Sequence, residues 1–335
     1  MTPLISINIV TYNELKYLSA CIGSILSQTY KNIEIFLFDN ASIDETIEFV
    51  EKNYPQIKII PNRENLGYTV GHNRAIKISR GDFFMPINPD VTLESTYIED
   101  MVKALNIDDK FGMACGKLYR MKQKGKRTSI IDSVGMSFIS NQRHFDIGSG
   151  EIDKGQYDKC AEVFGVSGAA PLYRRTMLED IKIHGEYFDE DFFAFREDAD
   201  LAWRAQLLGW RAVYTPEAAG YHVRTVTPEK RKTLNPLINM HSVKNRFLMR
   251  IKNMSFSNYL VNIIPITYRD LQIIVYVFLF EHSSIQAFYK VISLSLKTID
   301  KRKQIMRKRK VSNRYIKKWL RLKQIHLWLR SFQIV

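Results

Sequence analysis

The chain has 335 residues, 45% of them hydrophobic, 12% aromatic and 25% charged, which supplies a packed core for one or two domains and excludes intrinsic disorder of the bulk. Its cysteines, Cys21, Cys115 and Cys160, are odd in number and far apart, so neither a disulfide framework nor a zinc spacing is present. The net charge of +14 is unevenly spread: residues 1–222 carry 25 Lys and Arg against 31 Asp and Glu (−6), residues 223–335 carry 24 against 4 (+20), and the expected partner of such a tail is a polyanionic surface.

In chain order, the N-terminal MTPLISINIV lacks the basic stretch and small-residue cleavage site of a secretory signal and is expected to lead straight into structure. Residues 5–10 are an apolar run long enough for a buried strand. Over 14–27, Leu15, Leu18, Ile22, Ile25 and Leu26 recur at spacings of three and four, the period of an amphipathic helix. IEIFLF at 33–38 is a second strand, ending at Asp39. A helix over 44–52 follows, with Ser42 or Asp44 as N-cap, then a strand over 57–60 closed by Pro61, a helix over 68–79 and a strand over 82–87. This alternation predicts βαβ units around a mainly parallel sheet. Residues 111–118 read as a strand and 120–156, rich in Lys, Ser, Gly and Asn, as a hairpin or variable loop. A helix over 197–208 and a strand over 211–214 follow, and beyond Thr233 the chain reads as helix throughout.

In an open parallel sheet, ligands settle against the carboxyl ends of the strands, and polar residues gather there. Thr11-Tyr12-Asn13-Glu14 follow the first strand, Asp39-Asn40-Ala41-Ser42 the second, Asn62-Arg63-Glu64-Asn65-Leu66-Gly67 the third and Asn88-Pro89-Asp90 the fourth. Turn and capping duty accounts for any one of these segments. Four on one edge predict a ligand crevice, where Asp39 can hold a ribose or base and Arg63 a phosphate. No G-x-G-x-x-G follows the first strand and no G-x-x-x-x-G-K-[ST] occurs, which argues against a dinucleotide-binding Rossmann domain and a P-loop nucleotidase. Gly165-Val166-Ser167-Gly168 is not the G-x-S-x-G elbow of a serine hydrolase.

The segments SINIVTYNE, FDNASID, NRENLGYTVGHNRAI, INPDV, GVSGAAPLYRR and FDEDFFAFREDADLAWRAQLLGW stand in that order. Together, over about residues 4–225, they resemble the family-2 glycosyltransferases of the GT-A fold, most closely the rhamnosyltransferase-like members of bacterial cell-surface polysaccharide synthesis. The resemblance implies a Rossmann-like α/β domain over residues 1–225, with a nucleotide-binding half over about 1–110 and an acceptor-binding half over 111–225. A helical basic region over 226–335 completes the chain. The implied reaction is inverting transfer of a sugar from a nucleotide-diphosphosugar, dTDP- or UDP-linked with dTDP-rhamnose as one candidate, to a hydroxyl of a lipid-linked saccharide.

On that resemblance, Thr11, Tyr12, Asn13, Glu14, Asp39 and Asn40 line the nucleoside, and Arg63, Asn65, Gly67, Asn73, Asn88 and Asp90 surround the diphosphate and sugar. Asp90 is the expected ligand of a Mg²⁺ or Mn²⁺ bridging the phosphates. The family's common D-x-D is here Asn88-Pro89-Asp90, which leaves one carboxylate, and one can suffice. His222, after the last strand, is the expected second metal ligand. Asp198, paired with Glu197 at a helix start, is the expected general base, ahead of Asp189, Glu190 and Asp191. Ser167, Gly168 and Ala169 are expected as the acceptor-side loop, with Trp210 as a further acceptor or packing residue. The alternative is a non-catalytic sugar-nucleotide-binding or scaffold protein on the same fold, with a membrane- or RNA-binding tail.

Within the tail, LQIIVYVFLF over 271–280 is bounded by Arg269-Asp270 and Glu281-His282, too short for a spanning helix of about 20 residues. Residues 301–323 hold twelve Lys and Arg and no acid, interleaved with Ile305, Met306, Val311, Ile316, Trp319 and Leu320. That is the composition of an amphipathic helix on an anionic membrane, and no RNA-binding signature accompanies it, so nucleic acid is not the expected partner. The expectation is a cytoplasmic protein, peripheral on the inner face of the cell membrane, whose tail can be cut near Ile299 without loss of the fold.

Overall fold

Each apolar run before residue 90 forms a strand and each amphipathic run between them a helix. The structure, a computed structural model, describes residues 2–123, 125–225 and 228–320. The first part comprises β1 (Ile5–Thr11), α1 (Leu15–Leu26), β2 (Ile33–Asp39), α2 (Thr46–Asn53), β3 (Lys58–Pro61), α3 (Gly67–Ile78), β4 (Phe83–Ile87), β5 (Val91–Leu93) and α4 (Tyr97–Leu105). Then come β6 (Phe111–Met121), β7 (Arg127–Ser133), β8 (Met136–Phe138), β9 (His144–Asp146), β10 (Ala161–Val163), β11 (Leu172–Arg174), α5 (Arg175–Ile181), α6 (Glu197–Leu207) and β12 (Arg211–His222). The basic region holds α7 (Pro236–Asn253), α8 (Phe256–Val261), α9 (Ile263–Phe280), α10 (Gln286–Lys308) and α11 (Asn313–Trp319).

The main sheet runs β10-β12-β6-β11-β4-β1-β2-β3, with β5 on the end of β12 and β7 on β6. Pairs β1/β2, β1/β4, β2/β3 and β6/β12 are parallel, and β11 is antiparallel to both β4 and β6. Register aligns Thr11 with Asp39 and Asp39 with Pro61, so the first three polar segments leave the sheet side by side. One face is covered by α1 and α4 around Ile7, Ile9, Ile22 and Leu37. On the other, Phe164 and Trp203 of α6 anchor a core that takes in Leu248 and Met249 of α7.

In the middle of the chain, residues 120–156 take the hairpin alternative rather than the loop: β6 runs on to Met121 and pairs antiparallel with β7, β8 pairs antiparallel with β9, and Ile131, Val134, Met136 and Phe138 are buried. One expectation needs correcting. The last strand reaches His222 rather than ending at Tyr214. It survives Pro216, which has no ladder N–H, because its register slips between Tyr214 and Ala219.

The basic region also departs from expectation. The ten-residue apolar run lies in α9, an 18-residue helix of mean hydropathy 1.5, long and apolar enough to cross a membrane by length and composition, with 17% of it buried. Arg269-Asp270 does not end the helix because Asp270 is paired with Arg246 and Arg250 of α7, at 3.4 and 2.5 Å. Nor is the tail an appendage of free cations. Lys301 is buried against Asp189, Asp191 and Glu186, Lys310 reaches Asp180, and Arg302 donates to the Met254 carbonyl at 2.5 Å. Part of the positive tail thus neutralises the acidic front, rather than waiting for an external polyanion. Arg321 and Lys323, which complete the basic run, lie outside the described residues.

Ile305, Ile316, Trp319 and Leu320 share the core of Phe164 and Trp203. Each such burial contributes roughly 1.5–3 kcal/mol against a total stability on the order of 5–15. A chain ending at Ile299 is therefore expected to lose its cooperative thermal transition; melting at the full-length temperature would restore the picture of a detachable tail.

Candidate active site

The ends of β1 and β2 build a rigid polar corner. Asp39 is fully buried; one carboxylate oxygen accepts the Ser42 N–H at 2.9 Å, while Oδ1 has no partner within the protein. Thr11 Oγ1 is in the same condition. An unmet buried acceptor is costly, and a ribose hydroxyl or base N–H would meet this one. Asn13, at φ 56°, locks the corner: its N–H donates to Ser42 Oγ at 2.9 Å and its Oδ1 accepts from Ile43 at 2.8 Å. Asn40 bridges to the next segment, donating to the Gly67 carbonyl at 3.2 Å and accepting from Leu66 at 3.3 Å. Tyr12, Arg63 and Asn65 are exposed around this corner, and Asn65 Oδ1 accepts the Gly67 N–H at 2.9 Å. Gly67 has φ +80°, and a Cβ there would lie 2.6 Å from the Phe193 ring, so the close approach needs glycine.

Asn73, expected at the diphosphate, is spent elsewhere. Its Nδ2 donates to the Phe188 carbonyl (2.8 Å) and Glu190 Oε1 (2.9 Å), and its Oδ1 accepts from Tyr187 and Phe188. It holds the 187–190 segment.

Asp90, at the end of β4, meets the far end of β12. His222 Nε2 lies 3.3 Å from Asp90 Oδ1, and His222 Nδ1 is bound by Asp132 Oδ2 at 2.8 Å. Arg224 then joins Asp132 (2.9 Å) to Asp146 (2.6 Å). Burial pushes the Asp90 carboxyl up, but the His222 charge and hydrogen bond outweigh it and hold it below the usual carboxylate range. The imidazole works in reverse: burial lowers it, and Asp90 with Asp132 raises it to about 10. Glu14 is nearby; burial raises its carboxyl, Asp90 adds to that, and its Oε2 is buried without a partner.

Among the described residues no group of three or more His, Cys, Asp or Glu forms a closed metal cage. A facing Asp and His, the His oriented through its other nitrogen by a carboxylate, fits a cation that displaces the Nε2 proton and takes its remaining oxygens from phosphate and water.

The acid pair opens α6. Asp198 Oδ2 accepts the Gly168 N–H at 3.0 Å and Oδ1 the Ala199 N–H at 2.7 Å. Burial first, then the Asp146 charge, raises Asp198 to about 6 against those two N–H groups. Glu197 is buried, with Oε2 unpartnered, and is pushed well up by burial and by Asp198. Its rivals are occupied: Asp189 pairs with Lys252 and Lys301, Asp191 with Lys297 and Lys301, and Glu190 with Asn73.

Ser167, Gly168 and Ala169 form a strap between the two halves of the site. The Gly168 N–H binds Asp198, the Gly168 carbonyl accepts from the Tyr68 hydroxyl at 2.8 Å, and the Ala169 carbonyl accepts the Asn88 N–H at 2.9 Å. Trp210 does not join them. It precedes β12 whereas His222 ends it, about eleven residues of strand away and so on the order of 30 Å, and its Nε1 donates to Asp180 at 2.9 Å. It is a packing residue.

Sequence reasoning missed Asp132, Asp146, Arg224 and Tyr68, and also Asn245 of α7. Phe193, Phe195 and Arg196, just before the acid pair, have φ of 67°, 71° and 68°, a strained run costing about 1 kcal/mol or more per residue. Asn245 Nδ2 holds it, donating to the carbonyls of Phe192 (2.9 Å), Ala194 (2.9 Å) and Phe195 (2.7 Å). Asn245→Ala is expected to leave nucleotide binding intact and lower turnover by about 10²-fold, the scale for a misplaced reacting group. Undiminished turnover would mean that the run keeps its shape without α7.

The family model described as Glycosyl transferase family 2 matches residues 6–182. A protein named "Uncharacterized glycosyltransferase" from Haemophilus influenzae is 28% identical over 64% of this chain; the chain spans less than two thirds of that relative, 64% of its length. The N-acetylglucosaminyl-diphospho-decaprenol L-rhamnosyltransferase of Mycobacterium tuberculosis is 26% identical over 66% of this chain and 76% of its own. Among solved structures, GalNAc-T7 with UDP, GalNAc and Mn²⁺ superposes with a TM-score of 0.59 at 12% identity, covering 75% of this chain and 48% of the other. That likeness concerns the fold: the GT-A arrangement of a mostly parallel sheet with flanking helices is the one observed.

Proposed function

Because the chain belongs to glycosyl transferase family 2, we propose that it is an inverting glycosyltransferase, moving a sugar from a nucleotide-diphosphosugar to a hydroxyl of a lipid-linked saccharide. The strap carries this reading: Gly168 binds the Asp198 carboxylate while its neighbour Ala169 binds Asn88, two residues from Asp90. A proton acceptor and a phosphate-side carboxylate are thus fixed relative to each other by two backbone hydrogen bonds. A scaffold protein would need neither.

In this mechanism Asp39 and the β1 and β2 ends hold the nucleoside, and Gly67 lets the backbone approach the ligand. Asp90 and His222 would hold a divalent cation, Mg²⁺ or Mn²⁺, which when bound offsets the charge of the departing diphosphate. Asp132 fixes the imidazole so that Nε2 is the nitrogen presented. Asp198 takes the acceptor proton as the hydroxyl attacks the anomeric carbon, and its two N–H donors keep the carboxylate aimed. The mycobacterial relative's name supports rhamnose as the sugar and a lipid diphosphate as the acceptor's carrier, with dTDP-rhamnose as donor and UDP-sugars as the competing candidates. A place in cell-surface polysaccharide synthesis, in the cytoplasm and peripheral on the inner membrane face, follows from that acceptor. The apolar faces of α8, α9 and α10, which expose Phe256, Ile264, Phe280 and Leu296, would lie against the anionic membrane with the unspent cations of the tail.

The test is a thermal-shift panel of dTDP, UDP and GDP with Mn²⁺. One of them is expected to raise the melting temperature, by about 2.7 kcal/mol of stabilisation at a hundredfold excess over Kd. No stabilisation by any nucleoside diphosphate would contradict the reading.

A further inference from the structure

The strap reaches the surface at two residues: Ser167 and Gly168 are partly exposed, while Val166, Ala169 and Ala170 on either side are buried. Beside them Asp198 and Tyr68 are partly exposed as well. Gly168 is flanked by both, the Asp198 carboxylate on its N–H at 3.0 Å and the Tyr68 hydroxyl on its carbonyl at 2.8 Å. A side chain on Gly168 would grow into the gap between them. A Cβ built there would lie 3.2 Å from the Tyr68 hydroxyl oxygen and 3.6 Å from Asp198 Cβ and Oδ2, its three nearest atoms. The two oxygens are thus no farther apart than those two lengths laid end to end. The Gly168 backbone is not left-handed, so what glycine supplies at this position is space.

Tyr68 itself has little freedom. It follows Gly67 at the start of α3, and its ring meets His72 edge-on at 4.1 Å and Phe188 at 6.0 Å. His72 is held in turn by Asn8 of β1, through Nδ1 at 2.9 Å. A phenol has one proton, and the Gly168 carbonyl takes it, so toward any further group the Tyr68 oxygen can only accept. The ionised Asp198 carboxylate is also purely an acceptor. Two acceptors on either side of one gap call for a ligand with two neighbouring donors. Vicinal hydroxyls of a sugar ring have that pattern, and so does a ring hydroxyl beside an acetamido N–H.

We propose that Tyr68 binds the acceptor saccharide: the attacking hydroxyl donates to Asp198, while the hydroxyl or amide N–H next to it on the ring donates to the Tyr68 oxygen. This rests on the reaction proposed above and adds the choice of acceptor. A ring whose neighbouring donor is missing or points away cannot satisfy both oxygens at once. Tyr68 thereby fixes which hydroxyl of the ring is presented to the base. The base carboxylate on the other side of the gap assigns the contact to the acceptor and not to the donor's sugar.

The test titrates full-length protein, in Mn²⁺ with dTDP or UDP, with the octyl glycosides of glucose, N-acetylglucosamine, galactose and rhamnose. Wild type is expected to bind at least one of them. Tyr68→Phe should weaken that glycoside about fivefold, the scale of one neutral hydrogen bond. Gly168→Ala, whose methyl fills the gap, should weaken it on the order of tenfold or more. Nucleoside diphosphate affinity should be unchanged in both. Among monodeoxy analogues of that glycoside, one should bind wild type about fivefold more weakly than the parent and bind Tyr68→Phe as the parent does, because its partner is already gone. Should Gly168→Ala not fold, Tyr68→Phe and the deoxy analogues decide alone. A hydroxyl that only tethers the strap would slow transfer and leave glycoside affinity unmoved, and that result overturns the assignment. So does a wild type that binds none of the glycosides. Weakened dTDP-rhamnose binding in Tyr68→Phe, with glycoside binding unchanged, would give the gap to the donor's sugar and overturn it too. Glycoside binding in the expected pattern, in a protein that cleaves no sugar nucleotide, would uphold the site and sink the transferase reading instead.

Discussion

Asp198→Asn is expected to bind nucleotide within a few-fold of wild type and to transfer sugar about 10²–10⁴-fold more slowly, the usual loss for an absent general base. The amide keeps the shape of the carboxylate, and its one oxygen can still accept the Gly168 N–H with loss of the Ala199 N–H bond, so the strap should stay in place and donor binding survive. The amide cannot take a proton, so the acceptor hydroxyl must attack unassisted. Wild-type kcat/KM should fall as pH drops through about 6, because the raised carboxyl is then protonated and no longer a base. Asp146 is the charge that adds to burial in raising it, so Asp146→Asn should move that acid limb to lower pH. Wild-type turnover in Asp198→Asn, or a rate flat from pH 5 to 8, would remove Asp198 from the mechanism.

The second large effect belongs to Asp90. Its replacement by Ala leaves His222 facing an empty position and is expected to cost several kcal/mol of leaving-group stabilisation, on the order of 10³-fold in turnover. EDTA should produce a similar loss in wild type and no further loss in Asp90→Ala, since both remove the same interaction. Asp132→Asn, which reaches the metal position only through the far nitrogen of His222 and also weakens the Arg224 ion pair, should cost about 10–100-fold in metal affinity. Full activity of wild type in chelator would shift the neutralising role to side chains such as Arg63.

The strand ends of the first ninety residues were legible because the period of two against 3.6 marks each element, and the polar residues after each strand share one sheet edge by register. The place of Glu197 and Asp198 at a helix start was legible behind an acidic run, while the role proposed for Asp198 comes from the resemblance. Asp132, Asp146 and Arg224 were not legible, because they sit in or beside a Lys-, Ser- and Gly-rich stretch whose strands carry few consecutive apolar residues. Their meaning arises only when β7 and β9 are brought alongside the end of β12. Asn245 is likewise silent in sequence, one polar residue of a helix fifty positions from the run it holds. The tail was legible only in part. Its composition matches a surface-bound amphipathic helix, but Lys301 and Lys310 are answered by acids of the front half, a pairing that no local pattern encodes. For Trp210 the sequence left acceptor and packing roles open, and the length of β12, which separates it from His222, was hidden by Pro216.

The most direct measurement is the anomeric configuration of the transferred sugar, followed by proton NMR from donor to product under single-turnover conditions. One displacement assisted by Asp198 requires inversion at the anomeric carbon. Retention would demand a covalent sugar–enzyme intermediate or an internal return, and would contradict a general-base role for the Asp198 carboxylate.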